Sequence, residues 1–149
     1  TQHIDMWMMA VRDQEVIIGQ YEWSDGDPYD ITEAAATDLA AAGYTVHRTP
    51  GWNSGNPQYT HYTYTNAVVF NDLVFIPEFS GYPAENAQAA AVFAAAYPDH
   101  QVIPVDCSSI IHSAGAIHCV VMHVPSIGTM PFEDGFESGD LTAWSLAVP

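Results

Sequence analysis

The feature that most constrains this chain is an internal repeat. The stretch AVRDQEVIIGQY, Ala10 to Tyr21, and the stretch VVFNDLVFIPEF, Val68 to Phe79, each run apolar, then through a polar turn, then apolar again. Arg12-Asp13-Gln14 and Asn71-Asp72 supply turn chemistry between segments rich in Val, Ile and Phe, which predicts a β-hairpin in each. Turn-rich links (SDGDPYD and SGYPAE) lead to alanine-rich helices predicted over Thr32–Ala42 and Ala84–Tyr97. Thr32 with Glu33, and Glu85 with Asn86, stand where caps and acidic groups favour a helix start, while Gly43 and Pro98 stop the helices. A strand follows each, YTVHRT from Tyr44 and HQVIPVD from His100. The unit is ββαβ. Val16 aligns with Val74, 58 residues on, and Val46 with Val102, 56 residues on, so the copies share a register to within a loop change.

The chain's 149 residues, 48% of them hydrophobic, provide material for one globular core rather than two. Two arginines, no lysine and 18 acidic residues give a net charge of -16, which repels phosphate backbones and anionic lipid and so argues against nucleic-acid and membrane partners. A cationic substrate is attracted, although an acidic surface also suits a secreted or high-salt protein with no such ligand. No run of about eighteen apolar residues predicts a membrane span. Cys107 and Cys119 could form one disulfide at most, far short of a disulfide scaffold.

Four stretches can carry chemistry: His3 with Asp5, the run Tyr64-Thr65-Asn66, GWNSGN from Gly51 to Asn56, and SAGAIHC from Ser113 to Cys119. If His3 and Asp5 lie on a strand, their i, i+2 spacing puts both on one face. Cys119 opens an apolar run that reads as a buried strand, and by itself it is either a small core residue or a nucleophile whose thiolate its His118 neighbour and the Gly115 turn favour. Cys107 lacks such neighbours and reads as a core or spare residue. The repeat offset maps His3 onto His61 and His61 onto His118, predicting histidines at equivalent strand ends that converge around a ring axis. No CxxC or HxxxH pair supports a zinc site, no G-x-S-x-G supports a serine hydrolase, and no metal or cofactor is expected.

Taken together, TQHIDMWMM, YTYTNAVVFNDLVFIPEF and AYPDHQVIPVD with SAGAIHC resemble the agmatine deiminase and bacterial, Porphyromonas-type peptidylarginine deiminase branch of the guanidino-group-modifying (pentein) superfamily, from about Thr1 to Pro125. The resemblance implies an α/β propeller of five ββαβ modules around a central active site, of which this chain holds about two modules and the first strand of a further one. It implies that Cys119 attacks the guanidinium carbon, that His3 is the general acid and base, that Asp5 binds guanidinium nitrogens and that Asn66 orients the substrate. The implied substrate is agmatine or a peptidyl-arginine.

A second guanidinium-binding carboxylate, supplied in the family by an earlier module, has no counterpart here. The expectation is therefore a C-terminal piece of a longer precursor, exported from a bacterium, whose sheet edges an N-terminal chain of the same precursor covers; a homo-oligomer stays open. Residues 126–149 change character to an acidic, Gly/Ser-rich tail, and Asp134–Ser145 suggests a sorting or assembly segment. Two rival readings use the same residues: a non-catalytic assembly subunit that kept the fold, and an amidinotransferase that passes the same thiouronium to an amine.

Overall fold

In the computed structural model, residues 3–54 and 59–122 are described; Gly55 and Asn56 of the GWNSGN stretch and the whole tail, with Asp134–Ser145, lie outside the described residues. β1 (Met8–Arg12) pairs antiparallel with β2 (Glu15–Gln20), and α1 (Asp27–Ala41) returns the chain so that β3 (Thr45–Asn53) runs parallel to β2. β4 (His61–Thr63) then adds antiparallel to the far half of β3, giving a four-stranded sheet in the order β1-β2-β3-β4. The second unit repeats the first. β5 (Val68–Phe70) pairs antiparallel with β6 (Leu73–Glu78), α2 (Pro83–Ala96) crosses over, and β7 (Gln101–Asp106) lies parallel to β6.

The repeat holds at the level of single rungs. Val16 faces Val46 and Val74 faces Val102, in parallel ladders running from Glu15–Thr45 to Gln20–Pro50 and from Leu73–Gln101 to Glu78–Asp106. β2 and β6 are central strands, and their runs of buried Val and Ile suit strands covered on both faces. Each hairpin turn has a residue with positive φ, Gln14 at 55° and Asn71 at 54°; asparagine accepts that conformation more readily.

Helix boundaries differ from the sequence expectation by more than one residue in one place. α1 begins at Asp27, five residues before Thr32, because Gly26 (φ 68°) breaks a preceding 3-10 turn and Pro28, which needs no amide partner, opens the helix. Thr32 is therefore not a cap: it is fully buried within the helix, its hydroxyl donating to the Pro28 carbonyl at 2.8 Å. α2 begins at Pro83 with Glu85 in its first turn and buries Ala89, Phe93 and Ala96, an i, i+4, i+7 stripe. Asn86 ties the β6–α2 corner, accepting from the Phe79 amide and the Tyr64 hydroxyl and donating to the Phe79 carbonyl.

β3 runs past the expected YTVHRT strand, so Gly51, Trp52 and Asn53 form a strand against β4. Trp52 stacks on Tyr62 at 4.8 Å and packs on Tyr82 at 4.6 Å, and Tyr62 meets Phe79 edge-on at 5.0 Å. These aromatic contacts join the two sheets. Arg12 reinforces the junction by donating to the carbonyl of Ala96, one of the unpaired carbonyls at the end of α2.

Candidate active site

The HID stretch is not a strand. Ile4–Met6 forms a 3-10 turn, with the Met6 amide bonded to the His3 carbonyl (3.2 Å) and the Trp7 amide to the Ile4 carbonyl (3.0 Å). The ladder ends where the Trp7 carbonyl accepts the Gly19 amide at 2.8 Å, so the two-residue alternation expected of His3 and Asp5 does not extend to them. His3 is exposed, whereas Asp5 is partly buried and turned into the molecule.

Cys119 likewise sits on a 3-10 turn, His118–Val120, and not in a buried strand. The apolar run that follows is exposed over Val120, Val121 and Met122, so no strand of a further module forms among the described residues. Cys119 is exposed and Cys107 buried, both as free thiols. Burial, and after it the Asp106 charge, raises the pKa of the Cys107 thiol.

Asn66, fully buried, joins these two turns. Its side-chain oxygen accepts the amides of Ala116 (2.8 Å) and Cys119 (3.3 Å), and its amide nitrogen donates to Asp5 Oδ2 (2.8 Å) and to Cys119 Sγ (3.1 Å). Its backbone carbonyl takes the His118 amide at 3.3 Å. Cys119 Sγ lies 3.5 Å from Asp5 Oδ2. Thr65, one residue earlier, donates its hydroxyl to the Asp5 carbonyl at 3.0 Å, while Tyr64 points the other way, into the core. Three successive residues after β4 thus hold the core, the Asp5 turn and the Cys119 turn.

Gly115 is required by contact: a Cβ there would lie 2.7 Å from Cys119 Cβ and 2.8 Å from Sγ. The sulfur rests on the glycine backbone. Two of the histidines expected at equivalent strand ends have different partners. His61 is buried in β4 with Nε2 2.5 Å from the Tyr21 hydroxyl, and burial lowers its pKa from 6.5 to about 4. His118 instead places Nδ1 2.7 Å from Asp5 Oδ2, a contact that sequence reasoning missed although the neighbouring thiol had marked the position.

Charge at the site is set by what is absent from the chain. Lysine is missing, and the two arginines are engaged elsewhere, Arg12 with Ala96 and Glu15, Arg48 with Gly19 and Glu33. A carboxylate beside an exposed thiol with no arginine or lysine opposite is suited to a cationic planar group, which can give a carboxylate two parallel N–H bonds.

Residues 1–125 match the family described as Porphyromonas-type peptidyl-arginine deiminase. The chain belongs to that family. An agmatine deiminase from Pseudomonas fluorescens is 25% identical over 154 residues, covering 83% of this chain and 40% of the relative. Among solved structures, the agmatine deiminase of Campylobacter jejuni superposes with a TM-score of 0.67 at 20% identity, over 78% of this chain and 37% of the other. That of Enterococcus faecalis gives 0.61 at 17% identity, over 78% and 38%. The chain therefore spans about two fifths of the length of the curated relatives it matches. Its two ββαβ units are modules of the α/β propeller of this deiminase family.

Proposed function

We propose that this chain supplies the thiol side of an active site that converts a guanidino group, on agmatine or on a peptidyl-arginine, into a ureido group and ammonia. The observation that carries the reading is the Asp5–Asn66–Cys119 cluster, with sulfur and carboxylate 3.5 Å apart and one buried carboxamide bonded to both.

Asp5 accepts N–H bonds from the guanidinium and holds its carbon over the sulfur. The Cys119 thiolate adds to that carbon, forming a C–S bond while the C=N π pair moves to nitrogen. His3 protonates the departing nitrogen, the C–N bond breaks, and ammonia leaves a thiouronium on the sulfur. Water, giving its proton to His3, adds to the same carbon; collapse forms the C=O bond as the hydroxyl loses its proton to solvent, breaks the C–S bond, returns the thiolate and releases the ureido product. Asn66, wholly enclosed, acts by positioning the carboxylate and the thiol and does not touch substrate. The second guanidinium-binding carboxylate comes from an N-terminal chain of the same precursor, and the assembly is exported.

The test is to incubate the chain, with that N-terminal portion, with agmatine or an arginyl peptide and to measure ammonia and ureido product. Turnover that disappears in Cys119→Ala supports the deiminase. Inertness of the complete assembly toward both substrates would sink it in favour of a structural subunit, and transfer to an added amine would favour amidinotransfer.

A further inference from the structure

Besides the Cys119 sulfur at 3.5 Å, Asp5 Oδ2 is approached by two nitrogen donors, Asn66 Nδ2 at 2.8 Å from inside the protein and His118 Nδ1 at 2.7 Å from its surface. We infer that His118 is a positioning residue for the guanidinium-binding carboxylate, an inference that rests on the deiminase reading of Asp5 above.

An ionised carboxylate only accepts hydrogen bonds, so Nδ1 of His118 carries the hydrogen. The two donors do different jobs. The Asn66 bond alone leaves the Asp5 carboxylate free to swing about its last torsion, which is broad for an sp2 group. A second donor on the same oxygen, from another direction, fixes the plane of the carboxylate and with it the plane in which a guanidinium must lie.

The ring is held in place to do this. The His118 amide is bonded to the Asn66 carbonyl, and the next residue is Cys119, whose amide is bonded to the Asn66 side chain. The hydroxyl of Thr65 fixes the Asp5 main chain. Carboxylate, ring and sulfur therefore share one buried anchor, and turning the ring away would release only the carboxylate. With 55% of its side chain exposed, against 18% for Asp5, His118 stands on the outer side of the carboxylate, bordering solvent.

Binding of the cation can be read without turnover. Cys119 is alkylated with 2-chloroacetamidine, a planar cation that a carboxylate recognises, and with 2-chloroacetamide, its neutral isostere. The ratio of the two rates reports recognition of the charge, and the chloroacetamide rate alone reports the thiol. Asp5→Asn should lower the ratio strongly. His118→Ala should lower it by about tenfold, the value of one well-made charge-assisted bond, and because the ratio is taken against the chloroacetamide rate, any change in the thiol itself divides out. His118→Asn, whose side-chain nitrogen occupies the position of Nδ1, should restore most of it, and His118→Ala should have no further effect in Asp5→Asn.

A ratio unchanged or raised in His118→Ala overturns the inference, a rise meaning that the ring competes with the cation. So does an equal loss in His118→Ala and His118→Asn, which would assign the effect to the ring's bulk. If the native chain shows no greater ratio than Asp5→Asn, the deiminase role of Asp5 falls and this inference falls with it. Loss of ratio in Asp5→Asn but not in His118→Ala removes only the inference.

Discussion

The side chain of Asn66 holds Cys119 at both ends: its oxygen takes the cysteine amide at 3.3 Å and its nitrogen reaches the sulfur at 3.1 Å. Because the same nitrogen also binds Asp5, thiol and carboxylate keep their separation through one buried residue 53 positions from the first and 61 from the second.

Replacing that residue leaves several polar groups unpaired inside the protein. Asn66→Ala is expected to cost about 2–4 kcal/mol of stability and to abolish the selectivity of Cys119 for a cationic alkylating agent. Urea denaturation measures the first effect, and a midpoint equal to that of the native protein would show that the cluster contributes nothing to folding.

Gly115→Ala tests the floor beneath the sulfur. The added methyl would overlap Cys119 Cβ and Sγ, so the 115–119 turn must move. A displacement of about 1 Å from a reactive geometry can cost about 100-fold in rate, and under the proposed deiminase reading ammonia release should fall on that scale while thermal unfolding shifts only modestly. Activity within twofold of the native protein would contradict the contact.

The two thiols should separate by reactivity. Cys119 is exposed, whereas Cys107 is 1% exposed with its pKa raised. A disulfide reagent such as dithiobis-nitrobenzoate should titrate one thiol in the native protein and the second only on unfolding, and peptide mapping should find the first label on Cys119. Equal rates for both would place Cys107 nearer the surface than its burial indicates.

His61 makes stability depend on pH in a defined window. Its folded pKa, about 4, lies below the ordinary 6.5 because burial disfavours the charged ring. The unfolded chain therefore binds a proton that the folded chain refuses, and stability is complete above pH 6.5 and declines as pH falls toward 4, by roughly 3 kcal/mol from this group. In His61→Gln, whose amide can still meet the Tyr21 hydroxyl, the decline between those values should shrink by that amount in urea titrations at a series of pH. Parallel curves for the two proteins would remove His61 as the cause.

The repeated ββαβ unit was legible in the sequence because each piece has a short-range signature. Polar turns divide apolar runs, alanine-rich stretches end at Gly43 and before Pro98, and Val16 and Val46 recur as Val74 and Val102 in the rungs they occupy. β4, three residues long, is too short for any period, and Pro28 hid the start of α1 inside what looked like a turn. The residue types around Cys119 were readable from their order, but the local shapes were not: HID and HCV each fit a strand pattern, yet the first leads from His3 into the 3-10 turn Ile4–Met6 and the second forms one.

What the chain settles by itself is therefore the order of its elements and which side chains are available, since hydrogen-bonded turns and apolar periodicity act over a few residues. The tertiary structure alone decided which of those side chains meet. Asp5 and His118 are 113 residues apart, and they touch only because the Asp5 turn and the Cys119 turn both dock on Asn66. A contact of that kind depends on where separate backbones come to rest against one another, a sum of packing over the whole core that no local pattern records.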